Sequence, residues 1–308
     1  MPHAPCPMPH APCPMPHAPI DPPAPTLYRI SHMTLALVDL CGEDDVLDRE
    51  GDVYWKRPLE ILNEAGISFI DFASGAKTIP QKVERFHEAL KSDADFIWVV
   101  RGGYVCVETL DLIDWDLVAE KKKPLYGISD FTHLSWLAVP KGVPCYYGQS
   151  FTKFEEKFPT AEDRAFLLSF LKTGIPPSLI AQPLSPRARE TDLSQSPMIG
   201  GHLVIVLLML LQYPVDLKDR YLFLEYHPGC AGEGMYDIGY YLEHLVRILT
   251  RTKNLPKGIV FGQSLLPQMD GTMIPWKEIN QYCAARVSSL EIPVYEVDHF
   301  RNVIPFSF

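Results

Sequence analysis

Short apolar runs alternate with stretches of helical periodicity from Met33 onward. MTLALVDL (33–40), ISFIDF (67–72), DFIWVV (95–100) and PLYGI (124–128) are apolar runs of strand length, as strands buried on both faces require. Between them, DVYWKRPLEILNEAG (52–66) reads as a helix ending at Gly66. PQKVERFHEALKS (80–92) reads as another, with Val83, Phe86 and Leu90 at three-to-four spacing. This alternation predicts an α/β fold whose parallel sheet is covered on both faces, with any site at the carboxyl ends of its strands.

A polar, Pro-containing stretch, PLSPRARETDLSQSP (183–197), interrupts the pattern and reads as a linker. After it come a Gly200-Gly201 turn, an apolar helix over 202–212, the strand YLFLE (221–225) and a helix over 236–250. Ile238, Leu242, Leu245 and Leu249 give that last helix one apolar stripe. KGIVFG (257–262) and IPVYEV (292–297) read as further strands. The expected organisation is a tail over 1–25, an N-terminal domain over 26–182, a linker over 183–198 and a smaller domain over 199–308, with a cleft between the two lobes.

The tail is set apart by composition. Residues 1–7 read MPHAPCP, residues 8–14 repeat them and 15–19 begin a third copy; 11 of the chain's 29 prolines fall in the first 25 residues. Proline removes backbone donors and biases the chain toward extended polyproline II, so a disordered or semi-rigid tail is expected, serving at most as a docking segment or weak chelator. The spacing of Cys6, Cys13 and their neighbouring histidines follows the repeat, and Pro-rich backbone folds poorly around a zinc ion.

Charge and cysteine usage narrow the function classes. The 308 residues carry 38 acidic against 28 basic side chains, a net charge of −10, which argues against a general nucleic-acid or anionic-membrane binder. The longest apolar run, Leu203 to Leu211, is about half of the ~20 residues a membrane helix needs. The N-terminus lacks the pattern of a secretory signal, and seven scattered cysteines without a CxxC pair fit reduced thiols. Cys106 and Cys145 read as core thiols, and a cytoplasmic protein is expected.

Candidate chemistry sits at strand ends. In PLYGISDFTHLSWLA (124–138), Ser129 occupies the turn between a strand and a helix, where unpaired N–H groups favour negative charge; a nucleophile and a simple helix cap both fit. WVVRGGYVC (98–106) places Arg101, Gly102, Gly103 and Tyr104 at the end of the preceding strand. The N–H groups of Gly103 and Asp130 would pair as an oxyanion hole. His299 follows IPVYEV and Glu225 ends YLFLE, so the carboxylate would hold the histidine's Nδ1–H. Asp298 beside His299 would raise its pKa or compete with Glu225.

In order along the chain, VRGGY (100–104), IDWDLV (113–118), KPLYGISD (123–130), Gly200-Gly201 with Leu203, LFLE (222–225), KGIVFG (257–262) and PVYEVDH (293–299) resemble the LD-carboxypeptidases, the serine peptidase family that includes the microcin C immunity peptidases. The resemblance implies a flavodoxin-like N-terminal lobe and a swivelling C-terminal lobe. It implies Ser129 as nucleophile, Glu225 and His299 as its partners, and backbone donors at Gly103 and Asp130. Hydrolysis of the L,D amide before the terminal D-alanine of murein tetrapeptides, in cell-wall recycling, is the implied activity, with no metal or organic cofactor and commonly as a homodimer. Arg101, Gly102 and Tyr104 are the candidate substrate contacts; for Arg101 a contact to the free carboxylate and a structural ion pair fit equally.

This chain departs from the family pattern at His202, where asparagine is usual, at Tyr226-His227-Pro228, and at Asp298-His299-Phe300. Two rivals follow: an immunity-type peptidase acting on an aminoacyl nucleotide or other small amide, with Trp136, Trp276 or Tyr104 as aromatic platform, and a non-catalytic peptide-binding protein. A cysteine-based amidotransferase fits less well, because Ser129 stands at the elbow.

Overall fold

The computed structural model describes residues 33–153, 161–227, 234–267, 272–299 and 302–308. The Pro-rich tail lies outside them. The apolar runs become β1 (Thr34–Val38), β2 (Ser68–Asp71), β3 (Phe96–Val99) and β4 (Leu125–Gly127), followed by β5 (Cys145–Tyr147). Helices α1 (Val46–Glu64), α2 (Ile79–Lys91), α3 (Cys106–Thr109), α4 (Trp115–Lys121) and α5 (Thr132–Ala138) connect them. These five strands are parallel in the order β2-β1-β3-β4-β5, the flavodoxin-like arrangement, whose ligand sites lie at the strands' carboxyl ends.

Alternation along β1 explains the layers. Ala36 and Val38 face one side and Leu35 and Leu37 the other, because successive side chains point to opposite faces. The second face packs Trp98 and Tyr126 against Trp55 and Leu62 of α1 and Phe170 of α6 (Ala161–Thr173). Helix α2 buries Val83, Phe86 and Leu90, as its spacing predicts. A capping box at Thr78 and Gln81 fixes its start.

The second sheet starts earlier than the linker reading expects. Residues 180–192, assigned to the end of the first domain and to the linker, hold β6 (Ile180–Pro183) and β7 (Thr191–Asp192), an antiparallel pair on this sheet's edge. Then come β8 (Met198–His202), α7 (Leu203–Gln212), β9 (Tyr221–Glu225), α8 (Met235–Thr252) and β10 (Gly258–Phe261). A short hairpin, β11 (Leu266–Pro267) with β12 (Met273–Ile274), leads to α9 (Trp276–Arg286) and β13 (Val294–Glu296). The sheet order is β7-β6-β13-β10-β9-β8, parallel from β8 to β13. On α8 the expected stripe of Ile238, Leu242, Leu245 and Leu249 is fully buried.

The final strand, β14 (Ile304–Phe306), returns to the first sheet and pairs antiparallel with β5. Its neighbour Ser307 exchanges backbone hydrogen bonds with Met198 of β8, at 2.9 and 3.2 Å, tying the two sheets together. One apolar cluster runs from Ala36, Val99 and Leu125 of the first sheet to Leu222, Val260 and Val294 of the second. The carboxyl ends of both parallel sheets therefore meet around a shared core.

Candidate active site

The elbow after β4 is the most strained point of the site. Ser129 has φ +58°, a left-handed conformation that costs a residue with a Cβ roughly 1–2 kcal/mol. It opens a 3-10 turn, Ser129–Phe131, that runs into α5; Phe131 of the turn and Leu134 and Ala138 of the helix are fully buried on the expected side. Thr132 ties the turn down, its hydroxyl donating to the Ser129 carbonyl at 2.6 Å and accepting the His202 N–H at 2.9 Å. The elbow is thereby fastened to the end of β8 on the other sheet.

The Arg101–Tyr104 loop lies directly against this turn. A Cβ on Gly102 would sit 2.8 Å from Ser129 Cβ and 3.2 Å from its Oγ, and one on Gly103 would sit 1.8 Å from the Cys41 carbonyl oxygen. Side chains at these two positions would collide with the elbow and with the loop after β1. Asp130 locks the arrangement from below: it is 2% exposed, its Oδ2 accepts the Cys106 N–H at 2.8 Å, and its Oδ1 lies 2.9 Å from His133 Nδ1. Tyr104, two residues after Gly102, stands out at 56% exposure.

Of the two roles open to Arg101, the structure shows the ion pair. Arg101 is 3% exposed, and its Nε and Nη2 donate to Asp39 Oδ2 at 3.1 and 2.8 Å. Lys82 Nζ donates to the same oxygen at 2.8 Å. Burial opposes ionisation of Asp39, yet the two cations hold its carboxyl below the usual range. The cluster joins the ends of β1 and β3 to α2, so its cations support the loop instead of reaching into the cleft.

Glu225 and Ser129 meet on one side chain that the motifs do not mark. Tyr147, at the end of β5, donates its hydroxyl to Glu225 Oε1 at 2.5 Å and accepts the Ser129 N–H at 2.7 Å. Glu225 is 3% exposed and Tyr147 fully buried. Burial, then the Glu225 carboxylate, pushes the phenol well above its ordinary pKa, so it remains a donor. The cue in the sequence is position alone: CYYG (145–148) is another strand end, but without a paired glycine to draw the eye.

His299 is fully buried, its ring 6.3 Å from that of Tyr147 and 5.7 Å from that of Phe223. Its Nδ1 accepts the Gln263 N–H at 2.9 Å, so the expected Nδ1–H bond to Glu225 gives way to a backbone contact, and neutral His299 carries its proton on Nε2. Burial lowers its pKa to about 4, outweighing the opposing pull of Glu225. The net effect is the opposite of the rise expected from Asp298. Trp136, a candidate aromatic platform, is fully buried with Nε1 donating to the Tyr213 carbonyl at 2.9 Å, and is core.

Residues 54–148 match the LD-carboxypeptidase N-terminal domain. Over that stretch, about a third of the chain, the sequence is similar to the LD-carboxypeptidases. The match takes in the Arg101–Tyr104 loop, the Ser129 elbow and Tyr147, whereas Glu225 and His299 lie beyond it. A murein tetrapeptide carboxypeptidase of Pseudomonas aeruginosa is 36% identical over 75 residues, which is 24% of this chain and about a quarter (24%) of that relative's length.

Likeness in fold extends past residues 54–148. A muramoyltetrapeptide carboxypeptidase from Oxalobacter formigenes superposes with a TM-score of 0.68 at 18% identity, covering 89% of this chain and 93% of its own. An MccF-like protein from Streptococcus pneumoniae, solved in complex with AMP, gives 0.67 at 17% identity, covering 89% and 94%. Among the described residues, no helix is long and apolar enough to cross a membrane.

Proposed function

We propose that this chain is a serine-type LD-carboxypeptidase that hydrolyses the amide between meso-diaminopimelate and the terminal D-alanine of a murein tetrapeptide. The observation that carries the reading is the Tyr147 hydroxyl, which joins the backbone of the Ser129 elbow to the Glu225 carboxylate. The domain match and the Pseudomonas aeruginosa relative support the substrate class. Cytoplasmic action in cell-wall recycling, as a homodimer, belongs to the same reading.

In this mechanism Ser129 Oγ attacks the scissile carbonyl while His299 takes its proton, and Glu225 stabilises the imidazolium that forms. The Gly103 and Asp130 N–H groups hold the oxyanion. The resting ring has its Nδ1 lone pair engaged by the Gln263 N–H, so base action at Nδ1 requires that contact to break. His299 then protonates the departing amine, and water, activated by the same base, releases the acyl group from Ser129. Tyr104, exposed on the loop that holds Gly102 and Gly103, contacts the substrate.

The exposed Tyr104 ring also favours a second reading, in which an aminoacyl nucleotide stacks on it before its amide is cleaved. Incubating the chain separately with murein tripeptide, tetrapeptide and pentapeptide and with an aminoacyl sulfamoyl-adenosine, followed by mass spectrometry, tests both. Loss of one D-alanine from tetrapeptide alone supports the first reading. Cleavage of only the adenosine conjugate transfers the proposal to the second, and binding without cleavage of any substrate refutes both.

A further inference from the structure

The loops that build the elbow also gather two thiols and a carboxylate beneath it. Cys41 follows β1, Cys106 opens α3 and Asp130 follows Ser129; both sulfurs and one carboxylate oxygen all lie within 4.8 Å of one another. Cys41 and Cys106 are 0% exposed and Asp130 is 2% exposed. Burial alone accounts for the cysteines, since free thiols pack as small hydrophobes. The carboxylate set among them, held by its own hydrogen bonds, adds an oxygen donor to the two sulfurs.

Asp130 is already oriented as ligating carboxylates are, by outer hydrogen bonds. The Cys106 N–H holds Oδ2 and His133 Nδ1 faces Oδ1. Two sulfurs with one carboxylate form a donor set for zinc or cadmium, whereas magnesium and calcium take oxygen shells. Ligand atoms about 2.0–2.3 Å from a tetrahedral ion stand roughly 3.5–3.8 Å apart, so these donors need to close by about 1.3 Å at most. We propose that Cys41, Cys106 and Asp130 bind a soft divalent cation of the zinc class, with water in the fourth position.

Binding breaks two S–H bonds, forms two sulfur–metal bonds and releases both protons to solvent. The site is a regulatory one by its position. The Cys41 carbonyl accepts the N–H groups of Tyr104 and Val105 at 3.0 and 3.3 Å, and Asp130 is the residue after Ser129. Drawing the ligands together shifts both segments that supply the proposed oxyanion donors, so a bound ion slows hydrolysis. That consequence rests on the proposed function; the binding itself does not.

The test uses the full chain carrying Cys6→Ser and Cys13→Ser, titrated with cadmium ion alone while thiolate-to-metal charge-transfer absorbance is followed. One ion per chain is expected, with affinity about tenfold or more weaker in Cys41→Ser and in Cys106→Ser. Cys145→Ser, which removes a buried thiol outside the cluster, leaves the titration unchanged. X-ray absorption at the metal edge of the unsubstituted cluster is expected to read two sulfur ligands, and needs no variant to fold. Absence of a saturable band, its survival in both single variants, or a shell without two sulfurs overturns the proposal. Zinc ion should also slow hydrolysis in the parent and not in Cys41→Ser. A chain that binds cadmium in this way but hydrolyses no substrate refutes the proposed function and leaves the cation site standing.

Discussion

The Tyr147 hydroxyl lies 2.5 Å from Glu225 Oε1, joining the last residue of β5 in one sheet to the last residue of β9 in the other. Because the same oxygen accepts the Ser129 N–H, the elbow, the phenol and the carboxylate form one buried chain. A hydrogen bond to a charged group contributes about 1.5–3 kcal/mol, and a buried donor left unpaired costs about 1–3 kcal/mol more. Tyr147→Phe removes both interactions. Urea unfolding should show a loss of roughly 2–4 kcal/mol, and kinetics should show kcat falling with KM nearly unchanged. A variant as stable and as active as the parent would remove Tyr147 from the account.

The burial of His299 sets a direction for acid sensitivity. Its folded pKa is lowered to about 4 from 6.5 in the unfolded chain, so the neutral ring's stabilisation is complete above pH 6.5. As pH falls from there through about 4, the unfolded state takes up a proton that the folded state resists, and roughly 3 kcal/mol is lost. His299→Gln should flatten this part of the stability profile. Nitrogen NMR of the resting protein should find His299 neutral at pH 6 with its proton on Nε2. An imidazolium at that pH, or a proton on Nδ1, contradicts the geometry.

Arg101 separates structural support from substrate recognition. Arg101→Met leaves Asp39 buried with Lys82 as its remaining partner from this pair of cations. Breaking a buried ion pair from one side costs about 3–5 kcal/mol, so thermal unfolding should move down sharply. A direct role in binding the substrate's carboxylate would instead raise KM at unchanged stability.

Much of the fold is legible because long-lived patterns encode it. Continuous apolar runs mark β1, β3, β9 and β10, and three-to-four spacing marks α2 and α8. Strands β5 (Cys145–Tyr147) and β14 (Ile304–Phe306) are not set in such runs: Pro144 precedes the first and Pro305 interrupts the second. The site divides similarly. Glycines beside Arg101 and a serine at a strand-to-helix turn are local signals, and the structure presses Gly102 against Ser129. The partners of Arg101 and His299 are not local: Asp39 is 62 positions away and the Gln263 amide 36, distances at which spacing carries no information about pairing.

The proposed reaction turns on a covalent acyl intermediate at Ser129. Turnover of murein tetrapeptide by Ser129→Ala, with folding checked by circular dichroism and D-alanine release followed by mass spectrometry, tests it most directly. Loss of a triad nucleophile lowers kcat by about 10⁴-fold or more, so release should fall to the background of binding and oxyanion stabilisation. A folded Ser129→Ala variant that retains a tenth or so of the parent rate, about 1.4 kcal/mol in barrier, would contradict the account.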